Sequence, residues 1–238
     1  MMQSSSQRLF LRNPTFQVSA TWLWNLLGTF VVAIGIAIFL PHNIALDRSA
    51  FQQQPSLALI PILSESVLVG LLPILFSILC KHQPADYGIT TKRLSASLIL
   101  AAGIALVYFA YLSLLARHLT TGIQWPAFQH ISLGYAIFAI VGLFAYGPLE
   151  VFFVIWLIHN TDRIFKSEAK TWSWGLLLTI ALYALLHAFS QGANSLVIAA
   201  EMLAFGLVFK RTHNSIGPML AFMLMNEYAW FLATVLLQ

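Results

Sequence analysis

The stretch Tyr146-Gly147-Pro148-Leu149-Glu150-Val151-Phe152-Phe153-Val154 decides the fold. It sets one carboxylate inside a long apolar run: Glu150 is the only Asp, Glu, Lys or Arg between Arg117 and Asp162. A charged side chain in hydrocarbon costs roughly 2.5–3.5 kcal/mol on insertion scales, and more in simulations. Such a cost is tolerated where the carboxylate has a partner or a task. Pro148 lacks a backbone N–H and disfavours helix at the residue before it. The stretch therefore predicts a buried acid and an interruption in the helix that carries it.

Composition identifies the medium around that acid. Of 238 residues, 59% are apolar and 8% are charged, against about 25% charged in soluble domains. The apolar segments are continuous and about 20 residues long, the length of a spanning helix, without the short alternating pattern of a barrel. In lipid the backbone must satisfy its own polar groups, so these segments are helices. The fold class is an all-α, polytopic transmembrane bundle. Its net charge of +4 is spread over loops and carries topology information, with no nucleic-acid footprint. The single cysteine, Cys80, excludes an internal disulfide and a cysteine-rich metal site. The first apolar segment is too long for a signal-peptide core, has no Ala-x-Ala-like site after it, and is expected to be a retained span.

Seven segments follow from the hydropathy: 21–40, 57–80, 94–116, 131–160, 171–189, 194–209 and 215–237. Trp22 and Trp24 open the first and Trp172 and Trp174 the fifth, as an aromatic belt would place them. The fourth is about 30 residues, roughly 45 Å at 1.5 Å per residue, across a hydrocarbon core of about 30 Å. It must tilt or break. A break near Gly147-Pro148 is preferred, with Pro148 opening a fresh helix and Glu150 in its first turn, facing the positive end of the helix dipole. Ten of the twelve Lys and Arg residues lie at the N-terminus or in the loops after the second, fourth and sixth segments. The positive-inside rule then puts the N-terminus in the cytoplasm and the C-terminus outside, in a cell (inner) membrane. Residues 1–20 are read as a cytoplasmic segment, 21–129 as accessory helices and 130–238 as the core.

Four of the eight acidic residues, Glu65, Glu150, Glu201 and Glu227, fall inside these spans, together with His187 and Asn226. No Lys or Arg lies deep in any span, so the carboxylates need protons, hydrogen bonds, a metal ion or a water-filled cavity. Each also has a plain structural use. Glu65, in Ser64-Glu65-Ser66, can bond a neighbouring helix. Glu201, after Ala199-Ala200, sits where helices pack closely. Glu227 can support Asn226. His187 alone would be read as a satisfied core histidine. His159 and Asn160, at a span end, are expected to be interfacial.

Residues 130–238 resemble the core of the CAAX-protease and bacteriocin-processing family, intramembrane endopeptidases that include the type II CAAX prenyl proteases. Glu150-Val151-Phe152-Phe153 is similar to the family's Glu-Glu-x-x-x-Arg motif. Tyr183-Ala184-Leu185-Leu186-His187 matches Phe-x-x-x-His with Tyr for Phe. Gly206 to Thr212 and Ser215 to Asn226 resemble the third motif, His-x-x-x-Asn. The chain departs from the pattern in three places: one glutamate stands for two, Val154 and Ile155 stand near the arginine position, and Phe222 stands for the third-motif histidine. The resemblance implies an intramembrane endopeptidase acting on a membrane-associated peptide, with Glu150 and His187 activating water and Asn226 stabilising the oxyanion. Any divalent metal, such as zinc, would sit on Glu150 and His187. A desolvated carboxylate can act as a general base, and an amide can donate to an oxyanion at roughly 3 kcal/mol per donor. Glu201 and Glu227 are secondary candidates.

Two further functions stay open on the sequence. One is an inactive relative that scaffolds or binds a membrane protein partner. The other is a small proton-coupled carrier, which intramembrane carboxylates and a broken helix also suit. A haem protein is disfavoured, because only His187 lies well inside a span.

Overall fold

The computed structural model describes residues 10–40, 55–117, 133–226 and 232. Among them every regular element is helical: α1 (Pro14–Phe39), α2 (Pro55–Leu79), α3 (Leu94–Ala116), α4 (Leu133–Phe144), α5 (Glu150–Phe165), α6 (Trp174–Gln191), α7 (Asn194–Thr212) and α8 (Ile216–Met225). A 3-10 turn, Pro84–Tyr87, lies between α2 and α3, and a π turn, Ala145–Leu149, joins α4 to α5. The chain is an all-α helical bundle. Among the described residues, four helical stretches are long and apolar enough to cross a membrane: Pro14–Phe39, Leu59–Leu79, Leu94–Ala116 and Leu133–Phe165. The apolar parts of α6 and α8, Trp174–Ala188 and Ile216–Met225, are shorter. α7 carries Glu201, Lys210 and Arg211, which lower its hydropathy.

Helix α5 is the centre of the bundle. Val151 and Phe153 through Ile158 are all buried, because the run is apolar on every face and can be satisfied only by neighbours on every side. It packs against α1, α2, α6, α7 and α8. Trp156 stacks on Phe76 of α2 and donates its indole N–H to Ser77 Oγ at 3.2 Å. By contrast, α1 and α3 turn large apolar side chains outward, among them Val31, Ile38, Ile99 and Leu106, a surface suited to lipid.

The helix ends rich in charge gather at one end of the bundle. Asp162, at the close of α5, accepts from Ser167 Oγ (2.6 Å), from the Gly175 N–H at the start of α6 (2.8 Å) and from Lys210 Nζ at the close of α7 (2.7 Å). Asn214, between α7 and α8, donates to the carbonyls of Thr90 and Lys92 before α3. Arg93 donates to the Arg211 carbonyl. Gln17 of α1 donates to Cys80 Sγ at the end of α2. Successive traverses therefore alternate in direction, with α4, the π turn and α5 acting as one.

Helix α1 begins earlier than the expected residue 21. Asn13 caps it, accepting from Thr15 N–H at 2.9 Å, and Pro14 occupies the first turn. Trp22 and Trp24 consequently lie inside the helix. Trp22 packs edge-on to Phe153, and Trp24 donates to the Val67 carbonyl, so both make contacts within the bundle. Trp172 and Trp174 are more than half exposed beside the charged end, as a belt requires. At the same end His159 lies half-buried, with its ring edge-on to Tyr87.

The fourth segment is interrupted where expected: two helices meet across a kink between Phe144 and Glu150, and Pro148 lies within the π turn instead of opening the second helix. Tyr146 leaves helical geometry at φ −91°, ψ 17°, and regular α-helix resumes at Glu150, which does occupy a first turn. Pro148 offers no N–H to the Phe144 carbonyl four residues back, and a π turn re-registers the ladder across that gap. Gly147 makes the packing of the turn possible: a Cβ there would lie 2.2 Å from Met223 Cγ of α8.

Candidate polar site inside the bundle

The first α-helical turn after the kink points Glu150 into the bundle, where it is 4% exposed. Tyr183 of α6 donates its hydroxyl to Glu150 Oε1. The Tyr183 ring lies 4.2 Å from the His187 ring, centroid to centroid, one turn further along the same helix. His187 Nδ1 is 3.0 Å from the Tyr183 carbonyl. A carbonyl can only accept, so Nδ1 carries the proton and the neutral ring keeps its acceptor lone pair on Nε2. Glu150, Tyr183 and His187 thus form one contact chain between α5 and α6. The spacing Tyr183 to His187 is the helical i, i+4 interval that puts both rings on one face.

A second chain adjoins it. Tyr146, in the π turn, donates to Glu65 Oε2 of α2 at 2.6 Å. The Tyr146 carbonyl accepts from Asn226 Nδ2 at 3.4 Å, just past the end of α8. Residues from α2, α5 and the end of α8 therefore meet at the π turn.

The expected residues fare differently. Glu150 and His187 come together through Tyr183. Asn226 reaches the same region by way of the Tyr146 backbone. Glu201 lies half-buried on α7. Glu227 lies outside the described residues. Phe222, at the third-motif histidine position, is buried and packs edge-on to Phe205 of α7 at 5.9 Å. Val154 and Ile155, near the arginine position, are core residues, 2% and 1% exposed. The parts that sequence reasoning missed are the two tyrosine hydroxyls and the pairing of Glu65. The available signal was Tyr183 itself, one turn before His187.

A catalytic zinc takes three protein ligands. Among the described residues no three His, Cys, Asp or Glu side chains come together to hold a metal ion. The arrangement can instead hold and pass protons. It offers a buried carboxyl with a phenol on one oxygen, an imidazole beside that phenol, and an amide donor nearby. No family model, curated protein or solved structure matches this chain.

Proposed function

We propose that the protein is a CAAX-protease-like intramembrane endopeptidase acting on a membrane-associated peptide. In this reading Glu150 is the general base, Tyr183 orients its carboxylate, and the Nε2 face of His187 shares the attacking water. The Asn226 amide, held by one N–H on the Tyr146 carbonyl, donates its other N–H to the oxyanion. The observation that carries the reading is the Glu150–Tyr183–His187 chain, in which the only carboxylate of its segment is bonded by the tyrosine that packs on the one histidine of α6. A general base must come within hydrogen-bond reach of its proton, directly or through one water, and this chain is built on that scale. In the same reading the charged end of the bundle faces the cytoplasm, which the gathering of Lys and Arg residues there supports.

The test is cleavage of a membrane-anchored peptide by the protein in liposomes. Glu150→Gln and His187→Ala are each expected to lower kcat by about a hundredfold or more, the range of a general base or acid. Equal activity in wild type and Glu150→Gln would reject the reading. Absence of any cleavage would favour the non-catalytic scaffold.

A proton-coupled carrier is the second reading, favoured by one observation: Glu65 and Glu150 come from two helices beside a kink, each bonded by a tyrosine hydroxyl. Uptake into vesicles that requires Glu65 and Glu201 but not His187 would support it.

A further inference from the structure

We propose that Tyr146 and Glu65 are positioning residues of this site, which makes α2 a working part of it instead of an anchor. What they position is given by the hydrolase reading, but the contacts themselves are testable without it.

The argument starts at the backbone. In a regular α-helix the Tyr146 carbonyl would accept from the N–H of Glu150. That N–H donates instead to the carbonyls of Ala145 and Gly147. The Tyr146 carbonyl is therefore the one skipped at the kink, and Asn226 Nδ2 meets it at 3.4 Å. The same departure from helical φ/ψ carries the Tyr146 side chain to α2. There it makes a 2.6 Å bond to Glu65, within the short range of hydroxyl-to-carboxylate bonds. One residue thus holds α2 with its side chain and the end of α8 with its backbone, and Glu150 opens the helix four residues later. The Glu65 bond fixes the rotation of the Tyr146 peptide and, through it, the direction of the Asn226 amide and the entry of α5. Merely satisfying a buried Glu65 would not require its partner to sit on the skipped peptide.

The test uses the full chain in liposomes with Glu65→Gln, Glu65→Leu and Tyr146→Phe. The amide oxygen of glutamine can still accept the Tyr146 hydroxyl, whereas leucine cannot. Glu65→Leu and Tyr146→Phe are expected to lower kcat about tenfold with KM little changed, since small misplacements of catalytic groups act on kcat. Glu65→Gln should stay within about threefold of wild type. Loss in Glu65→Gln equal to that in Glu65→Leu would overturn the proposal, because charge and not position would then be required. Full activity in all three would also overturn it. The second readout is the infrared phenol C–O band of Tyr146, isolated as wild type minus Tyr146→Phe. It should shift in Glu65→Leu. If wild type cleaves nothing, the hydrolase reading fails and this band alone decides: a shift supports the Glu65–Tyr146 anchor, and an unmoved band overturns it.

Discussion

Replacing Lys210 with methionine should unfold the charged end of the bundle more readily than its place near the surface suggests. The Lys210 and Asp162 side chains are 5% and 2% exposed, and their atoms meet at 2.7 Å. Lys210→Met preserves the length of the stem but strands the carboxylate of Asp162. Two neutral donors remain on it, Ser167 Oγ and the Gly175 N–H. Removing one partner of a buried pair costs 3–5 kcal/mol. With those two donors retained, about 3 kcal/mol is expected, roughly two orders of magnitude in the folding equilibrium. Lys210 also bonds the Glu168 carbonyl at 2.8 Å, and that contact is lost with it. Asp162→Asn added to Lys210→Met removes the stranded charge and should recover 1–3 kcal/mol, a coupling that neighbours in one network show. The assay is reversible unfolding by increasing SDS in mixed micelles, read by tryptophan fluorescence. A loss below about 1 kcal/mol for Lys210→Met, the range of an exposed pair, would refute the reasoning. It would mean that the ends of α5, α6 and α7 are not closed over the pair.

Other outcomes follow from the same structure. Thr21 is fully buried on α1, and its Oγ1 has no hydrogen-bond partner among the described residues. Thr21→Val exchanges that hydroxyl for a methyl of the same shape, so it should stabilise the protein by about 1 kcal/mol in the same unfolding assay. Gly175 lies so close to α5 that a Cβ would sit 2.2 Å from the Ile158 carbonyl oxygen. Gly175→Ala should therefore cost about 1–3 kcal/mol as α6 is pushed off α5. His82, outside the membrane-spanning helices, bonds the Tyr87 hydroxyl, and burial followed by the charge of Arg163 holds it below the usual imidazole range. The unfolded chain then binds the extra proton more readily. The His82 contribution is complete above pH about 6.5 and is lost as pH falls through its folded value. His82→Asn should flatten this acid-side slope of stability against pH.

Much of this was written in the chain, and the reasons for the remainder are physical. Glu150 was legible because a lone charge in an apolar run needs an explanation. The kink was legible because Pro148 cannot donate to the ladder. Its form was not, since a π turn at the junction that sets Gly147 against Met223 depends on packing from another helix. The extent of α1 was hidden because Gln17, Thr21 and Asn25 look like surface residues, yet their i, i+4 spacing lays them along one buried stripe. Asn25 there donates to the Leu68 carbonyl at 2.8 Å. Trp22 and Trp24 were misplaced for the same reason. That Glu65 bonds a neighbouring helix was legible; its partner was not, because Tyr146 lies 81 residues away in sequence. Hydropathy located the spans but not their faces, and the faces decide which carboxylates meet.

The most direct measurement is on the contact that joins the buried acid to α6. With 3-fluorotyrosine placed at position 183 and the protein in lipid nanodiscs, the fluorine resonance reports on the phenol's partner. Glu150→Leu is expected to move that resonance, while Glu168→Gln, in the loop after α5, leaves it in place. A resonance unmoved by Glu150→Leu would contradict the Glu150–Tyr183 contact and, with it, the polar site.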